Sequence, residues 1–185
     1  MQISHLAHRH SLNVVTVALG GLAVWRLGFA PELPAVLAFV VGGVLLSAID
    51  WRVRRLPTRI VYATLAAVAA GLVFAAVVEG AWSSLGTAAL GGVLFANAFY
   101  LVWLLTVKYA GLRVLGLGDV RLAAVLGLLL GWWGLPFVLY GAIVGHLLAL
   151  AVAAATYARD RRVQLIQAFG PPLIAGAFLT VLVGA

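Results

Sequence analysis

The sequence is dominated by apolar runs of roughly 20 residues, the length that an α-helix needs to cross the hydrocarbon core of a bilayer. Seven such runs follow one another, at about residues 11–30, 35–49, 60–78, 85–107, 119–133, 137–157 and 168–185. The 185 residues are 65% hydrophobic and 9% charged, with a mean hydropathy of +1.15, which excludes a soluble globular domain. We therefore predict an all-α, polytopic membrane protein with about seven transmembrane helices, forming a single integral membrane domain over residues 1–185.

The first run has an alternative interpretation. A polar head with His5, His8, Arg9 and His10 precedes it, and the small residue Ala30 ends it. A basic head, an apolar stretch and a small residue are also features of a cleaved signal peptide, which would leave six helices. The run is long for a signal, which favours a retained first helix whose Arg26 reaches the far interface.

The distribution of basic residues predicts the orientation. If the N-terminus is inside, the head and the loops after the second, fourth and sixth runs share one side. Together with the start of the fifth run, which holds Arg121 on the same side, they contain every Lys and Arg except Arg26, whereas Glu32 and Glu79 fall on the opposite side. Positive residues accumulate on the cytoplasmic side, so we predict a multi-pass protein of the cytoplasmic membrane with a cytoplasmic N-terminus. The net charge of +7 then serves contacts with anionic lipids, and no nucleic acid partner is expected.

One of these basic segments, residues 51–59, is predicted to be a loop between the second and third helices. Pro57 within it favours a helix start, because proline is tolerated in a first turn. We interpret the arginines from Arg52 to Arg59 as topology and lipid-binding residues.

Two acidic residues stand at the ends of apolar runs. Asp50 ends the second run, and Asp119 opens the fifth, directly after Gly116-Leu117-Gly118. A carboxylate at the edge of a membrane helix is costly and is therefore a functional candidate. The predicted orientation places both at the cytoplasmic edge, where two carboxylates held close cannot both stay ionised. Such a pair can activate a water and protonate a leaving amine, which is aspartyl peptide hydrolysis and needs no metal or other cofactor.

Each of these residues also has a simpler explanation. Asp50 is compatible with an ordinary interfacial charge that ends a helix beside arginines. Asp119 is compatible with a cap of the fifth helix, and both roles can hold together. His146, inside the sixth run, is better explained by packing and a bond to a neighbouring carbonyl than by a proton relay. The sequence contains no cysteine, which excludes thiolate chemistry.

Several of these residues form short segments whose order is informative. In chain order they are Asp50, Leu56, Pro57, Gly116, Gly118, Asp119, Arg121, Phe169, Gly170 and Pro171. Four segments follow one another in this order: an aspartate with Leu-Pro downstream, a GxGD with a basic residue two positions on, a small-residue stretch ending in Gly131-Trp132, and a closing Phe-Gly-Pro. This arrangement resembles the type IV prepilin peptidases, intramembrane aspartyl proteases of the GxGD kind.

The resemblance implies an aspartic endopeptidase with Asp50 and Asp119 as its catalytic pair. It would remove the short, charged leader of prepilin-like or pseudopilin-like membrane proteins at the cytoplasmic face. Many members carry a cysteine-bearing insertion near the N-terminus that is associated with N-methylation. The chain has no cysteine and no room for that insertion, so it resembles a short form whose N-methyltransferase activity is in doubt. Arg121 stands where the family often has Lys, and Thr58 where an acidic residue often follows Leu-Pro.

Other classes fit the sequence less well. Presenilin-like GxGD proteases carry a Tyr where this chain has Ile49, and a Pro-Ala-Leu that is absent here. A small proton-coupled transporter would use the two aspartates as ion sites, but both lie near one face and no internal repeat is evident. A catalytically silent component of a pilus or secretion system would not need both aspartates.

Overall fold

Seven α-helices make up the part of the chain that the structure describes, residues 2–108, 115–160 and 169–184, with side chains over 11–108, 115–159 and 169–184. In this computed structural model they are α1 (Gln2–Leu27), α2 (Leu33–Val53), α3 (Thr58–Glu79), α4 (Trp82–Lys108), α5 (Leu117–Gly131), α6 (Leu135–Asp160) and α7 (Gly170–Gly184). No strand occurs among these residues, so the all-α prediction is confirmed.

Helix length and composition agree with a polytopic membrane protein. Among the described helices, α2, α3, α4 and α6 are long and apolar enough to cross a membrane. α5 and α7 have 15 residues each, which corresponds to about 22 Å at the rise of an α-helix. The apolar part of α1, Ser11–Leu27, is also shorter than the four long helices. The prediction of a multi-pass membrane protein is confirmed.

The predicted helix ends are wrong around Asp50. α2 continues to Val53, so residues 51–53 are helical rather than part of a loop, and Asp50 lies inside the last turn. The helix ends because Arg54 adopts a left-handed conformation with φ 52°, and its N–H donates to the Asp50 carbonyl at 2.8 Å. α3 begins at Thr58, so Pro57 precedes the first turn instead of lying within it.

The loops predicted at 108–118 and 159–162 are shorter than expected, because Lys108 still belongs to α4, α5 begins at Leu117, and Arg159 and Asp160 belong to α6. Residues 109–114 and 161–162 lie outside the described residues.

α5 lies at the centre of the bundle. It contacts α2, α3, α4, α6 and α7, and its Leu126 and Leu129 are almost completely buried. α4 packs closely on it because two glycines face each other there. A Cβ placed on Gly91 would lie 2.6 Å from the carbonyl oxygen of Gly127. Small residues of this kind let membrane helices pack with their backbones in contact.

α1 packs against α2 and α7. Ala23 is fully buried in this interface, and Arg26 Nε donates to the carbonyl oxygen of Leu182 at 2.9 Å. Leu182 belongs to the last turn of α7, where unpaired carbonyls attract a cation. Arg26, predicted to reach the interface, therefore caps a neighbouring helix and joins α1 to the bundle.

Candidate active site

Asp50 and Asp119 line the same cavity at one end of the bundle. Asp50 comes from the last turn of α2, and Asp119 from the first turn of α5. The cavity has a volume of about 250 Å³ and is lined by Asp50, Arg54, Arg55, Leu56, Gly116, Leu117, Gly118 and Asp119. The structure thus brings together two carboxylates and the motif residues Leu56, Gly116 and Gly118.

The N-terminus of α7 holds Asp50. The Gly170 N–H donates to Asp50 Oδ2 at 3.0 Å, and the aspartate is only 5% exposed. Pro171 and Pro172 follow and have no backbone N–H, so Gly170 provides the only backbone donor among the first three residues of the helix. The positive end of the helix dipole favours a negative charge at this position. The closing Phe-Gly-Pro segment therefore presents one backbone donor to Asp50.

Asp119 caps its own helix. It is the third residue of α5, and its Oδ2 accepts a hydrogen bond from the Gly116 N–H at 3.0 Å. In return the Asp119 N–H donates to the Gly116 carbonyl at 3.1 Å. A full capping box has two side-chain hydrogen bonds, one made by the N-cap residue and one by the third helical residue. Gly116 has no side chain, so only the bond made by Asp119 is present. The cap occupies one carboxylate oxygen, and Asp119 Oδ1 has no part in it.

Gly118 lets the two aspartate segments approach each other. A Cβ placed on Gly118 would lie 3.0 Å from the Cβ of Leu56. Leu56 directly precedes Pro57, which is the N-cap of α3. A side chain at position 118 would therefore push the first turn of α5, and Asp119 with it, away from the segment that follows Asp50.

Arg121 links the first turns of α5 and α3. Its Nη1 donates to Thr58 Oγ1 at 3.0 Å, and its guanidinium carbon lies 5.9 Å from the centre of the Tyr62 ring. That distance is within the range of a cation–π interaction. Arg121 does not line the cavity, and it holds α5 two residues beyond Asp119. Thr58 and Arg121, where the sequence departs from the usual residues of the resembled family, contact each other.

Some residues near the site were not predicted from the sequence. Arg54 and Arg55, interpreted as topology residues, form part of the cavity wall. Their closeness to Asp50 in the chain is the signal that could have identified them, but the end of α2 was predicted too early. Phe169 is half-buried against the core, and Pro171 lines a separate apolar groove rather than the cavity of the two aspartates.

Two further predictions concern His146 and the possibility of a metal site. His146 Nδ1 lies 2.7 Å from the Ala142 carbonyl oxygen of its own helix, which agrees with the predicted bond, but its side chain is exposed rather than buried. Within residues whose side chains are described, no group of three or more His, Asp or Glu side chains is arranged to hold a metal ion.

The chain is similar to known proteins over most of its length. The model of the type IV leader peptidase family matches residues 35–153. A protein of Burkholderia pseudomallei (strain 1026b) named prepilin leader peptidase/N-methyltransferase is 34% identical over 92% of this chain and 54% of its own length. A protein of the same name from Pseudomonas putida is 30% identical over 95% of this chain and 59% of its own length. The chain thus spans a little over half the length of these relatives, and no solved structure matches it.

Proposed function

Since the chain belongs to the type IV leader peptidase family, we propose that it is an aspartic endopeptidase that removes the leader of prepilin-like or pseudopilin-like membrane proteins. Water activated between Asp50 and Asp119 performs the cleavage at the cytoplasmic face of the cell membrane. The enzyme forms a single integral membrane domain over residues 1–185, and Arg52 and Arg59, which lie outside the cavity of the two aspartates, contact anionic lipids there.

The proposal rests above all on the cavity that Asp50 and Asp119 share. Its volume of about 250 Å³ is several times the ~30 Å³ that one water occupies in the liquid, so water and part of a peptide fit together. Each aspartate has one oxygen bonded to a backbone N–H, from Gly170 or from Gly116. These bonds fix both carboxylates and leave a second oxygen on each for water or substrate.

The reaction needs one aspartate ionised and the other protonated. The ionised carboxylate takes a proton from water as the water oxygen attacks the peptide carbonyl carbon. The protonated carboxyl gives its proton to the carbonyl oxygen, which forms a neutral tetrahedral intermediate. When the C–N bond breaks, the amine nitrogen receives a proton from the protonated carboxyl, and a hydroxyl of the intermediate gives its proton to the other carboxylate. One water is thereby consumed, and the pair again holds one proton, as at the start.

Arg54 and Arg55 give the cavity wall a positive charge. Negative charge develops on the carbonyl oxygen during attack, and cationic groups near such an oxygen lower the barrier. N-methylation, which the names of the relatives include, is not part of the proposal. The resemblance connects that activity with a cysteine-bearing insertion, and this sequence contains no cysteine.

Co-expression with a prepilin-like substrate tests the proposal through Asp50→Asn and Asp119→Asn. Asparagine keeps the size of the side chain but cannot exchange the proton, so each single variant is expected to lose cleavage at unchanged membrane levels. Glu32→Gln and Glu79→Gln are matched controls, because these acids lie outside the cavity, and both are expected to cleave normally. Cleavage at the wild-type rate by either aspartate variant would exclude the pair. Proton flux in liposomes without cleavage of any leader-bearing substrate would favour a transporter.

A further inference from the structure

A long apolar groove runs beside the candidate active site, between α1, α2 and α7. Its volume is about 520 Å³, about twice that of the cavity that holds the aspartates. α1 contributes Val15 and Leu19, α2 contributes Val44 and Ala48, and α7 contributes Ile174 and Phe178. Along α2 the lining extends from Phe39 to Arg52, which corresponds to about 20 Å of helix.

One end of the groove adjoins the aspartates. Trp51 lines the groove and directly follows Asp50 in α2. Pro171 lines it and directly follows Gly170, whose N–H binds Asp50. The first turn of α7 therefore has one side in the groove and the other against the carboxylate. Arg52, the charged residue of the lining, marks this end as the one near the polar membrane surface.

We propose that this groove docks the apolar helix of the substrate, in an orientation that delivers the preceding leader to Asp50 and Asp119. The inference rests on the proposed function, which supplies a substrate whose cleavage point is next to a membrane helix. The lining offers almost no hydrogen-bonding partner, so it suits a segment whose backbone groups are satisfied internally, as they are in a helix. Ser47, Ala48 and Ala175 in the lining leave room for another backbone to approach.

The substrate must leave the helical conformation to reach the aspartates. The first turn of α7 separates the groove from Asp50, and a helix with its side chains is about 10 Å wide. An extended chain covers about 3.3 Å per residue, so roughly three extended residues cross that turn. The bond to be cleaved then lies about three residues before the docked part of the substrate helix.

Disulfide cross-linking tests the docking site independently of catalysis, because the sequence contains no cysteine. Ala48→Cys and Ala175→Cys are each introduced into an Asp119→Asn background and co-expressed with a prepilin-like substrate that carries one cysteine in the first half of its apolar helix. Ala98→Cys is the matched control, because Ala98 lines a second apolar pocket, of about 360 Å³, between α4 and α6. We expect cross-linking at Ala48→Cys and Ala175→Cys at least tenfold above the control.

Three results would overturn the docking site. The first is equal cross-linking at all three positions, and the second is no cross-linking at the two groove positions. The third is labelling of the groove by a photoactivatable phosphatidylglycerol, if an excess of substrate does not reduce this labelling. Cleavage by the wild-type enzyme, measured in the same cells, reports on the proposed function separately. Wild-type cleavage without groove cross-links would therefore remove the docking site and leave the peptidase in place.

A kinetic comparison provides a second test. Ala48→Leu fills part of the groove and is expected to raise KM for the helix-bearing substrate at least fivefold, with kcat nearly unchanged. Ala98→Leu adds the same volume on the other side of the bundle and is expected to leave both constants unchanged. An equal rise of KM in both variants would contradict a specific role of the groove.

Discussion

Gly170 influences the position of Asp50 in two ways. It has no side chain, so the carboxylate can lie close to it, and its backbone N–H donates a hydrogen bond to that carboxylate. The N–H lies 3.0 Å from Asp50 Oδ2, and a Cβ on Gly170 would lie 2.8 Å from the same oxygen. Any other residue at this position must shift either the carboxylate or the start of α7. Since Pro171 and Pro172 have no N–H, an alternative donor from the next two residues does not exist.

We predict that Gly170→Ala lowers kcat by about tenfold or more, because misplacing a reacting group by about 1 Å can cost up to about a hundredfold. The measurement is kcat for leader cleavage by the purified enzyme, together with its thermal stability. Gly86→Ala is the control, because Gly86 is also helical and a Cβ there meets no atom within 4 Å. Wild-type kcat in Gly170→Ala would show that the position of the Asp50 carboxylate does not limit the reaction.

The sequence allowed the two aspartates to be predicted but not what holds Asp50. Acids are rare in this chain, so Asp50 and Asp119 stand out at the ends of apolar runs. The cap formed by Asp119 was predictable too, because its partner Gly116 is three residues away. The partner of Asp50 is a backbone N–H that lies 120 residues further along the chain. A backbone donor has no signature in the sequence, and only the folded arrangement identifies it.

Among the elements, α3 and α5 are joined at their first turns by contacts on both sides of Asp119. Before it, Gly118 leaves no room for a side chain beside Leu56, which lies just ahead of α3, and after it Arg121 contacts Thr58 and Tyr62. These contacts orient the short first turn of α5 relative to the segment that follows Asp50. We therefore regard Arg121 and Thr58 as positioning residues for the proposed catalytic pair.

Thr58→Val removes the hydroxyl that accepts the Arg121 hydrogen bond and keeps the shape of the side chain. A solvent-exposed hydrogen bond of this kind contributes about 0.5–1 kcal/mol, so we expect kcat/KM for leader cleavage to fall about two- to fivefold. Thr58→Ser keeps the hydroxyl and is expected to retain the wild-type value.

The double variant Thr58→Val/Arg121→Gln is the further check on this contact. If the two residues act through one hydrogen bond, kcat/KM of the double variant is no lower than that of Arg121→Gln alone. Fully additive losses would mean that they act separately.

Hydropathy located the middle of each helix better than its ends. The apolar run stops at Asp50, but the backbone stays helical to Val53 because the left-handed Arg54 closes the last turn. A hydrophobic pattern reports on side chains, whereas this end is decided by one backbone conformation. The arginines after Asp50 were consequently assigned to a loop at the lipid surface, although Arg54 and Arg55 line the cavity.

At the scale of the whole molecule, the two ends of the bundle differ in charge and in contacts. One end holds the two aspartates, Arg54 and Arg55 around a cavity. At the other, Arg26 caps α7 through Leu182. The predicted orientation assigns the first end to the cytoplasm, because basic residues accumulate there.

Cysteine labelling of membranes tests this orientation. Arg59→Cys and Glu79→Cys place single thiols at exposed positions at opposite ends of α3. We expect a membrane-impermeant maleimide to label Glu79→Cys from the outer face of the intact cytoplasmic membrane, and Arg59→Cys only after that membrane is opened. The opposite pattern would reverse the topology and place the aspartates at the outer face.

The sequence predicted the family and the seven helices found among the described residues, but not which helix lies at the centre. The family match over residues 35–153 confirms a resemblance that was based on four short segments. The central position of α5 depends on close approach to α4 through Gly91 and Gly127. Glycines occur in most of the apolar runs, and only the packed structure shows that Gly91 and Gly127 are the two that bring α4 and α5 together.

The short length of α5 has a consequence for the route of water to Asp119. The helix is about 22 Å long, whereas the hydrocarbon core of a typical bilayer is about 30 Å thick, and α5 is surrounded by other helices rather than by lipid. The remaining depth is therefore spanned by protein, and the cavity at the N-terminus of α5, with Arg54 and Arg55 in its wall, forms part of it. Under the proposed function, water for hydrolysis would enter between the helices through this polar opening and not through the lipid.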